Sequence, residues 1–169
     1  MSFIVAIDGT AGSGKGTISN IIAKELNLTN IDTGATYRCV ALATIKNNIK
    51  LEEKEKIIAL LDKISIDIKV DGQNQIFLLD GEDVSEKIRS AEVTAIVSQI
   101  SAIPEVRLKL VELQRKLAQG KNVIMDGRDI GTYVFPNANV KIYLDASVEK
   151  RAERRFEENK LKGINTSYE

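Results

Sequence analysis

The chain has 169 residues, enough for one domain with a sizeable core, and its 24 basic residues balance its 24 acidic residues. This balance argues against a nucleic-acid polymer or a membrane surface as the partner. Because the chain has no histidine and a single cysteine, the usual zinc sites, histidine-dependent triads and an internal disulfide are all excluded.

The first seventeen residues are the stretch around which the chain is organised. A short apolar run over residues 3–7 is typical of a buried strand, and the pattern Gly-x-x-x-x-Gly-Lys follows it. Glycines let backbone N–H groups surround an anion at the start of a helix, and a lysine supplies a mobile charge for the outer phosphates of a nucleoside triphosphate. We therefore predict a nucleotide-binding loop made of Gly9, Thr10, Ala11, Gly12, Ser13, Gly14, Lys15, Gly16 and Thr17.

The loop departs from its commonest form because Gly16, rather than Ser or Thr, follows Lys15. The hydroxyl that usually ligates Mg²⁺ comes one residue later, at Thr17. This shift leaves open a metal held through water and a distant carboxylate. A glycine-rich turn without a ligand is the alternative for the whole stretch, and the strand–loop–helix context disfavours it.

Apolar residues at helical spacing follow the loop. They predict a helix that ends near Leu26, a second helix that carries Arg38 near its start, and a third helix over Leu51 to Ile64.

From Ser65 the period changes to strand-like alternation, with tight-turn pairs at Asp71-Gly72 and Asp80-Gly81. This pattern predicts a small antiparallel insert over residues 65–89. Such an insert often serves as a substrate lid or clamp, and a merely decorative hairpin is the alternative.

Beyond the insert, the pattern predicts helices over residues 90–101 and from Pro104 to Gly120, and strands over 122–125 and 140–144. Ser147 then caps a helix rich in arginine. A structural role and a role at the edge of a lid both remain open for its arginines, which are Arg151, Arg154 and Arg155.

Strands that alternate with helices indicate an α/β fold, a doubly wound parallel sheet flanked by helices and carrying the antiparallel insert. We expect a single domain over 1–169, with its core at 1–64 and 90–169. Because ligands gather at the carboxyl ends of parallel strands, the polar residues that follow Ile7, Ile31 and Met125 are expected to face one crevice.

The charged groups expected at that crevice suit phosphoryl transfer between two phosphate-bearing molecules. Arginine forks match phosphate oxygens, and carboxylates can orient Mg²⁺. An acceptor phosphate is already anionic, so that positioning and cationic clamps supply most of the catalysis without a strong general base. The groups are Asp8, Asp32, Arg38, Asp126, Arg128 and Asp129.

Five stretches resemble the bacterial-type cytidylate kinases of the nucleoside monophosphate kinase family. The opening, residues 4–17, ends in the Gly-Lys-Gly-Thr of those kinases, and the other four stretches run in family order over essentially the whole chain. They are Asp32-Thr33-Gly34-Ala35-Thr36-Tyr37-Arg38, Gly81-Glu82-Asp83-Val84-Ser85 with Ile88-Arg89, residues 97–107, and residues 125–136.

The resemblance implies a role for each matching position. The loop from Gly9 to Thr17 would bind ATP, with Lys15 stabilising the transferred phosphoryl group. The implied acceptor residues are Arg38 and Arg128 on the monophosphate, Ser98, Arg107 and Asp129 on the cytosine ring, Thr33 near the acceptor, and Asp126 near Mg²⁺ through water.

The implied activity is ATP-dependent phosphorylation of CMP and dCMP. A kinase for UMP or AMP is an alternative, and so is a nucleotide-binding switch without turnover. The family continues beyond Glu169 into a mobile lid, a last strand and a helix. We expect these to be missing from the sequence as written, which predicts nucleotide binding with poor transfer.

A lone cysteine fits a reducing compartment, and the N-terminal apolar run is too short for a signal peptide or a membrane span. We expect a cytoplasmic protein that is a monomer. Cys39 lies in an apolar helical stretch and is expected in the core.

Overall fold

A computed structural model of the protein describes residues 2–71, 74–161 and 163. Strands and helices alternate over most of this part of the chain. The strands are β1 (Ile4–Gly9), β2 (Thr29–Asp32), β3 (Ile66–Asp71), β4 (Asn74–Leu79), β5 (Glu82–Asp83), β6 (Val123–Gly127) and β7 (Val140–Leu144). The α-helices are α1 (Lys15–Leu26), α2 (Thr33–Lys46), α3 (Lys54–Leu61), α4 (Ala91–Ser101), α5 (Pro104–Ala118) and α6 (Val148–Leu161).

The central sheet is parallel, with the strand order β2-β6-β1-β7. Along β1, Val5 and Ile7 pack into a small cluster with Ala23 of α1, whereas Ala6 belongs to the larger cluster that includes α2 and α5 residues. Successive residues of a strand point to opposite faces, so β1 is buried on both sides of the sheet. This arrangement confirms the predicted class, a parallel sheet flanked by helices.

The strand register brings three carboxyl ends to one edge of the sheet. Asp126 of β6 lies opposite Asp32 of β2 on one side and opposite Ile7 of β1 on the other. Strands β1 and β2 therefore both pair with β6, and the polar residues that follow Ile7, Ile31 and Met125 lie at the same edge of the sheet.

A separate antiparallel sheet, β3-β4-β5, interrupts the alternation between α3 and α4. Ile68 and Phe77 pair across β3 and β4, and both are buried in the main core cluster. The predicted small antiparallel sheet is thereby confirmed. The turn predicted at Asp71-Gly72 includes residue 72, which lies outside the described residues.

Two helix boundaries differ from the prediction. The third helix spans Lys54–Leu61 rather than 51–64, because the Glu53 carboxylate accepts from the Lys50 N–H at 3.0 Å in the turn before it. The second helix begins earlier than its apolar pattern suggests, at Thr33, because the Asp32 carboxylate accepts from the Ala35 N–H at 3.2 Å. Asp32 is thus an N-cap.

Three smaller features complete the chain. Strand β5 and a π-helical turn over Ile130–Val134 are too short to leave a periodic pattern in the sequence. Cys39 is fully buried, as predicted, and burial raises the pKa of its thiol to about 12. Within the described residues, no helix is long and apolar enough to cross a membrane.

Candidate active site

The glycine-rich loop joins the end of β1 to the first turn of α1. Gly9 has φ +152°, and a Cβ atom built there would lie 2.0 Å from the Leu144 carbonyl oxygen of β7, so only glycine fits. Lys15 is the first residue of α1, and its Nζ donates to the Thr10 carbonyl oxygen at 2.7 Å. The sequence thus folds locally as predicted, with a tight loop over a helix N-terminus.

Two hydroxyls of this loop are buried without a partner. In the described part of the chain, Thr10 Oγ1 and Ser13 Oγ make no hydrogen bond and are shielded from solvent. A buried polar atom without a partner is costly, and a ligand oxygen at the loop would satisfy it. These atoms fit a phosphate-binding role for the loop.

Carboxylates and cations meet beside Lys15. Burial, followed by the nearby Arg128 charge, lowers the pKa of Lys15, while the charges of Asp126, Asp8 and Asp32 oppose that shift. Burial, followed by the Asp32 charge, raises the pKa of Asp126 to about 7. Together with the register that sets Asp126 beside Asp32 and Ile7, these charge effects place groups from β1, β2, β6 and α1 at one edge of the sheet, hereafter the strand-end crevice.

Arg38 projects from α2 and is held by the end of the insert and by α4. Its guanidinium donates to Thr94 Oγ1 of α4 at 2.9 Å and to the Ile88 carbonyl at 3.3 Å. Burial lowers the pKa of Arg38, and the Asp32 charge opposes that shift, which places Arg38 within the electrostatic range of the crevice. Arg128 is exposed at the end of β6.

Arg107 and Asp129 form an ion pair between α5 and the segment after β6. The Arg107 guanidinium also lies over the Tyr133 ring, 5.1 Å from the ring centroid. Burial, and then the Asp129 charge, raises the pKa of Tyr37, so this half-buried phenol lies beside the pair. Two residues predicted to bind the base are therefore adjacent.

The other two predicted acceptor residues are placed differently. Thr33 is 3% exposed, and its hydroxyl donates to the Asp126 carbonyl at 2.7 Å, tying the end of β2 to β6. Ser98 is exposed on α4, and its carbonyl accepts from the Ser101 hydroxyl at 2.9 Å. Contacts of Thr33 and Ser98 with an acceptor remain predictions.

Asp8 does not point into the crevice as a free carboxylate. It accepts hydrogen bonds from the N–H groups of Ile130 and Gly131 at 2.6 and 2.7 Å. Its two oxygens thus hold the start of the π-helical turn, a role that the sequence does not indicate.

Sequence reasoning missed the partners of two of these groups. Arg89 approaches Asp32 with 3.8 Å between Nη2 and Oδ2, and Gln75 of β4 accepts from the Asp32 N–H at 2.9 Å. Arg154 of α6 donates to the carbonyls of the glycine-rich loop. Position before a helix was a usable signal for Asp32, but nothing local in the sequence indicates what Arg154 or Gln75 contacts.

The fold and this crevice define a parallel α/β protein with a phosphate-loop architecture at the carboxyl ends of its strands. Comparison with known proteins narrows the class. Residues 5–169 match the cytidylate kinase family, and the chain belongs to that family.

The chain is similar to several proteins named cytidylate kinase. It is 54% identical to that of Caldicellulosiruptor saccharolyticus over 164 residues, which cover 97% of this chain and 73% of that protein. Identity is 53% over 165 residues with that of Caldanaerobacter subterraneus (98% and 72%) and 51% over 167 residues with that of Streptococcus pneumoniae (98% and 74%). A crystal structure of TT1252 from Thermus thermophilus superposes with a TM-score of 0.43 at 19% identity, covering 97% and 74% of the two chains.

Proposed function

We propose that this protein transfers the γ-phosphoryl group of ATP to CMP and dCMP, giving ADP with CDP or dCDP. One observation supports this most strongly. In a chain of the cytidylate kinase family, the glycine-rich loop, the crevice carboxylates and two arginines lie at one edge of the parallel sheet. Donor and acceptor phosphates can therefore meet there.

On the donor side, the loop residues Gly9 to Thr17 bind the ATP phosphates. Their backbone N–H groups and the N-terminus of α1 favour anions. Lys15, whose Nζ donates to the Thr10 carbonyl, is the mobile cation that follows the transferred group. Its lowered pKa comes mainly from burial, and the charge it carries acts in a site partly shielded from water.

On the acceptor side, Arg38 and Arg128 bind the monophosphate, and Arg107, Asp129 and Ser98 bind the cytosine ring. The support for Arg38 is that Thr94 and Ile88 anchor its partly buried guanidinium within reach of the Asp32 charge.

The Arg107–Asp129 pair offers N–H donors and carboxylate acceptors together, which suits the mixed donor and acceptor edge of cytosine. Thr33 acts near the acceptor through the strand ends that it joins.

The chemical step is an in-line displacement. An oxygen of the acceptor monophosphate forms a bond to the γ-phosphorus while the bond from that phosphorus to the β–γ bridging oxygen breaks, and ADP leaves. The attacking oxygen is already anionic, which removes the need for a general base. Lys15, Arg38 and Arg128 offset the charge of the two phosphate groups as they approach.

Mg²⁺ fits this crevice as an ion held largely through water. In the described residues, no group of three or more Asp, Glu or Cys side chains converges as a metal cage. Mg²⁺ commonly binds through one or two carboxylates and keeps several waters. Asp126, with Asp32 beside it, is the carboxylate that would hold the ion, which neutralises phosphate charge when bound.

We also infer that the protein acts in the cytoplasm and as a monomer. The single thiol is buried and free, which suits a reducing compartment, and every proposed ligand of both nucleotides comes from one chain.

We further propose that residues 1–169 form a single domain in which the insert over 65–89 belongs to the acceptor side, since Gln75 and Arg89 both contact Asp32.

Thermal unfolding with CMP in the absence of ATP tests this proposal. A ligand that binds only the native state raises the unfolding free energy by about 2.7 kcal/mol at one hundred times its dissociation constant, and the unfolding midpoint therefore rises with ligand concentration. We expect CMP and dCMP to stabilise the protein more than UMP, AMP or GMP do. Equal shifts, or none, across all five monophosphates would contradict the proposed acceptor.

A further inference from the structure

The outer side of the glycine-rich loop is covered by helix α6. Gly12 has φ +76°, which disfavours other residues, and a Cβ atom built there would lie 3.2 Å from the Arg151 carbonyl oxygen, so the backbone of α6 packs closely against the loop. One turn further along α6, Arg154 Nη1 donates to the Gly12 carbonyl at 3.3 Å and to the Ser13 carbonyl at 3.0 Å. The loop is thus held from outside by a residue about 140 positions later in the chain.

These contacts fix the orientation of two peptide units. In a trans peptide the C=O and N–H point in opposite directions, so a carbonyl bound on the outside directs its N–H inward. The Ser13 N–H, which shares a peptide with the Gly12 carbonyl, points away from Arg154 and donates to the Thr10 carbonyl oxygen at 3.4 Å, which closes the turn of the loop. Lys15 Nζ donates to that same Thr10 oxygen, so the inner side of the loop faces the nucleotide position.

We propose that Arg154 is a positioning residue for ATP: by binding the Gly12 and Ser13 carbonyls, it keeps the Gly14 N–H turned toward the phosphates and the Ser13 N–H in its turn with Thr10. The inference rests on the proposed function. It assigns this arginine, whose role the sequence leaves open, to the loop itself. In this role Arg154 acts through the loop backbone and not as a phosphate ligand.

This role predicts a different effect on nucleotide affinity from that of a residue that touches the transferred group. A loop whose N–H groups are misaligned loses affinity for every nucleotide that carries a β-phosphate, and ADP and ATP are affected alike. A guanidinium that binds the γ-phosphate affects ATP alone. A purely structural residue changes unfolding and leaves both affinities unchanged.

Calorimetric titration of the full chain with ADP, ATP and CMP distinguishes these cases. Arg154→Met removes the donors, and Lys150→Met is the matched control, since Lys150 is an exposed cation of the same helix that pairs with Glu153. We expect Arg154→Met to weaken ADP and ATP by the same factor, about tenfold, and to leave CMP unchanged. Arg154→Lys, which keeps one donor group, is expected to recover part of the loss, and Lys150→Met to match the parent protein.

A loss confined to ATP would overturn the inference and assign Arg154 to the γ-phosphate. Unchanged affinities for both nucleotides would overturn it as well. If the unsubstituted protein bound neither ADP nor ATP, the proposed function itself would be wrong. Nucleotide binding by the unsubstituted protein therefore distinguishes failure of this inference from failure of the proposed function.

Discussion

Asp8 is the second-last residue of β1. Its carboxylate accepts a hydrogen bond from the backbone N–H of Gly131 at 2.7 Å, although the two residues are 123 positions apart. The other oxygen accepts from the N–H of Ile130 at 2.6 Å. The bonds join the nucleotide loop to the segment that carries Arg128 and Asp129. Because this carboxylate is buried, it fixes the distance between the proposed donor and acceptor sides.

Asp8→Asn is expected to destabilise the fold. An asparagine offers one oxygen and turns an N–H₂ group toward the second backbone N–H, which leaves a buried donor unsatisfied at a cost of about 1–3 kcal/mol. Urea unfolding measures the change. Asp62→Asn, at an exposed carboxylate paired with Lys109, is the control and is expected to change the unfolding free energy by less than about 1 kcal/mol. Equal effects of the two substitutions would contradict this role.

Arg38→Lys is expected to impair transfer while the fold remains intact. A lysine keeps the charge but loses the fork that contacts Thr94 and Ile88 and binds phosphate in two places. A fall of about 10- to 100-fold in kcat/KM for CMP follows from the loss of charge-assisted hydrogen bonds. Steady-state kinetics measure it. Lys46→Met on the same helix, at an exposed cation paired with Glu82, is expected to leave kcat/KM unchanged, and an equal loss there would refute the assignment.

Asp126→Asn is expected to change the pH dependence of stability. The folded-state pKa of Asp126 is raised from 3.8 to about 7, so folding favours the protonated carboxyl. The stability that the protonated carboxyl contributes to the folded state is full below about pH 4 and is lost as the pH rises to about 7. An asparagine does not ionise. The variant is thus expected to gain stability relative to the parent protein across this range, by up to about 4 kcal/mol.

Urea unfolding at pH 4, 5.5 and 7.5 in the presence of EDTA measures this difference without bound metal. Exposed Asp62 serves again as the control, and Asp62→Asn is expected to show no such trend. A constant difference between Asp126→Asn and the parent protein at all three pH values would show that Asp126 titrates normally.

Arg107→Met is expected to reduce discrimination between CMP and UMP with little effect on stability. The ion pair with Asp129 is half-exposed on the arginine side, and such pairs contribute little to folding, about 1 kcal/mol or less. Loss of a hydrogen-bonding group at the base is expected to lower the ratio of kcat/KM for CMP to that for UMP by about tenfold or more. Arg115 lies on the same helix as Arg107 and donates to the Tyr133 and Val134 carbonyls. Arg115→Met removes this donor and tests whether general loosening of α5 gives the same result. An unchanged ratio in Arg107→Met would remove Arg107 from the specificity group.

Much of the fold follows from local patterns. The apolar run before Gly9, the glycine pattern and the strand–helix alternation specify a parallel sheet with its ligand edge at the carboxyl ends. The start of α2 was missed because its first turn lacks apolar periodicity, and the capping carboxylate of Asp32 sets the boundary. The π-helical turn is set by its contact with a distant residue, Asp8, and strand β5 has only two residues, so neither leaves a periodic pattern in the sequence.

The site was predictable to a lesser extent. Residue types at strand ends indicate which groups share the crevice, but not which of them are already occupied. Asp8 looks like a free carboxylate in the sequence, yet each of its oxygens accepts from a backbone N–H. Arg154 is one of several arginines on an exposed helix, and only the packing of α6 on the loop distinguishes it.

The central claim is that this protein phosphorylates CMP, and ADP release with Mg-ATP against CMP, dCMP, UMP, AMP and GMP tests it most directly. The account predicts release with CMP and dCMP well above that with the other three, and its loss in Arg38→Lys. Release that is equal across the five acceptors, or confined to UMP or AMP, would contradict the claim.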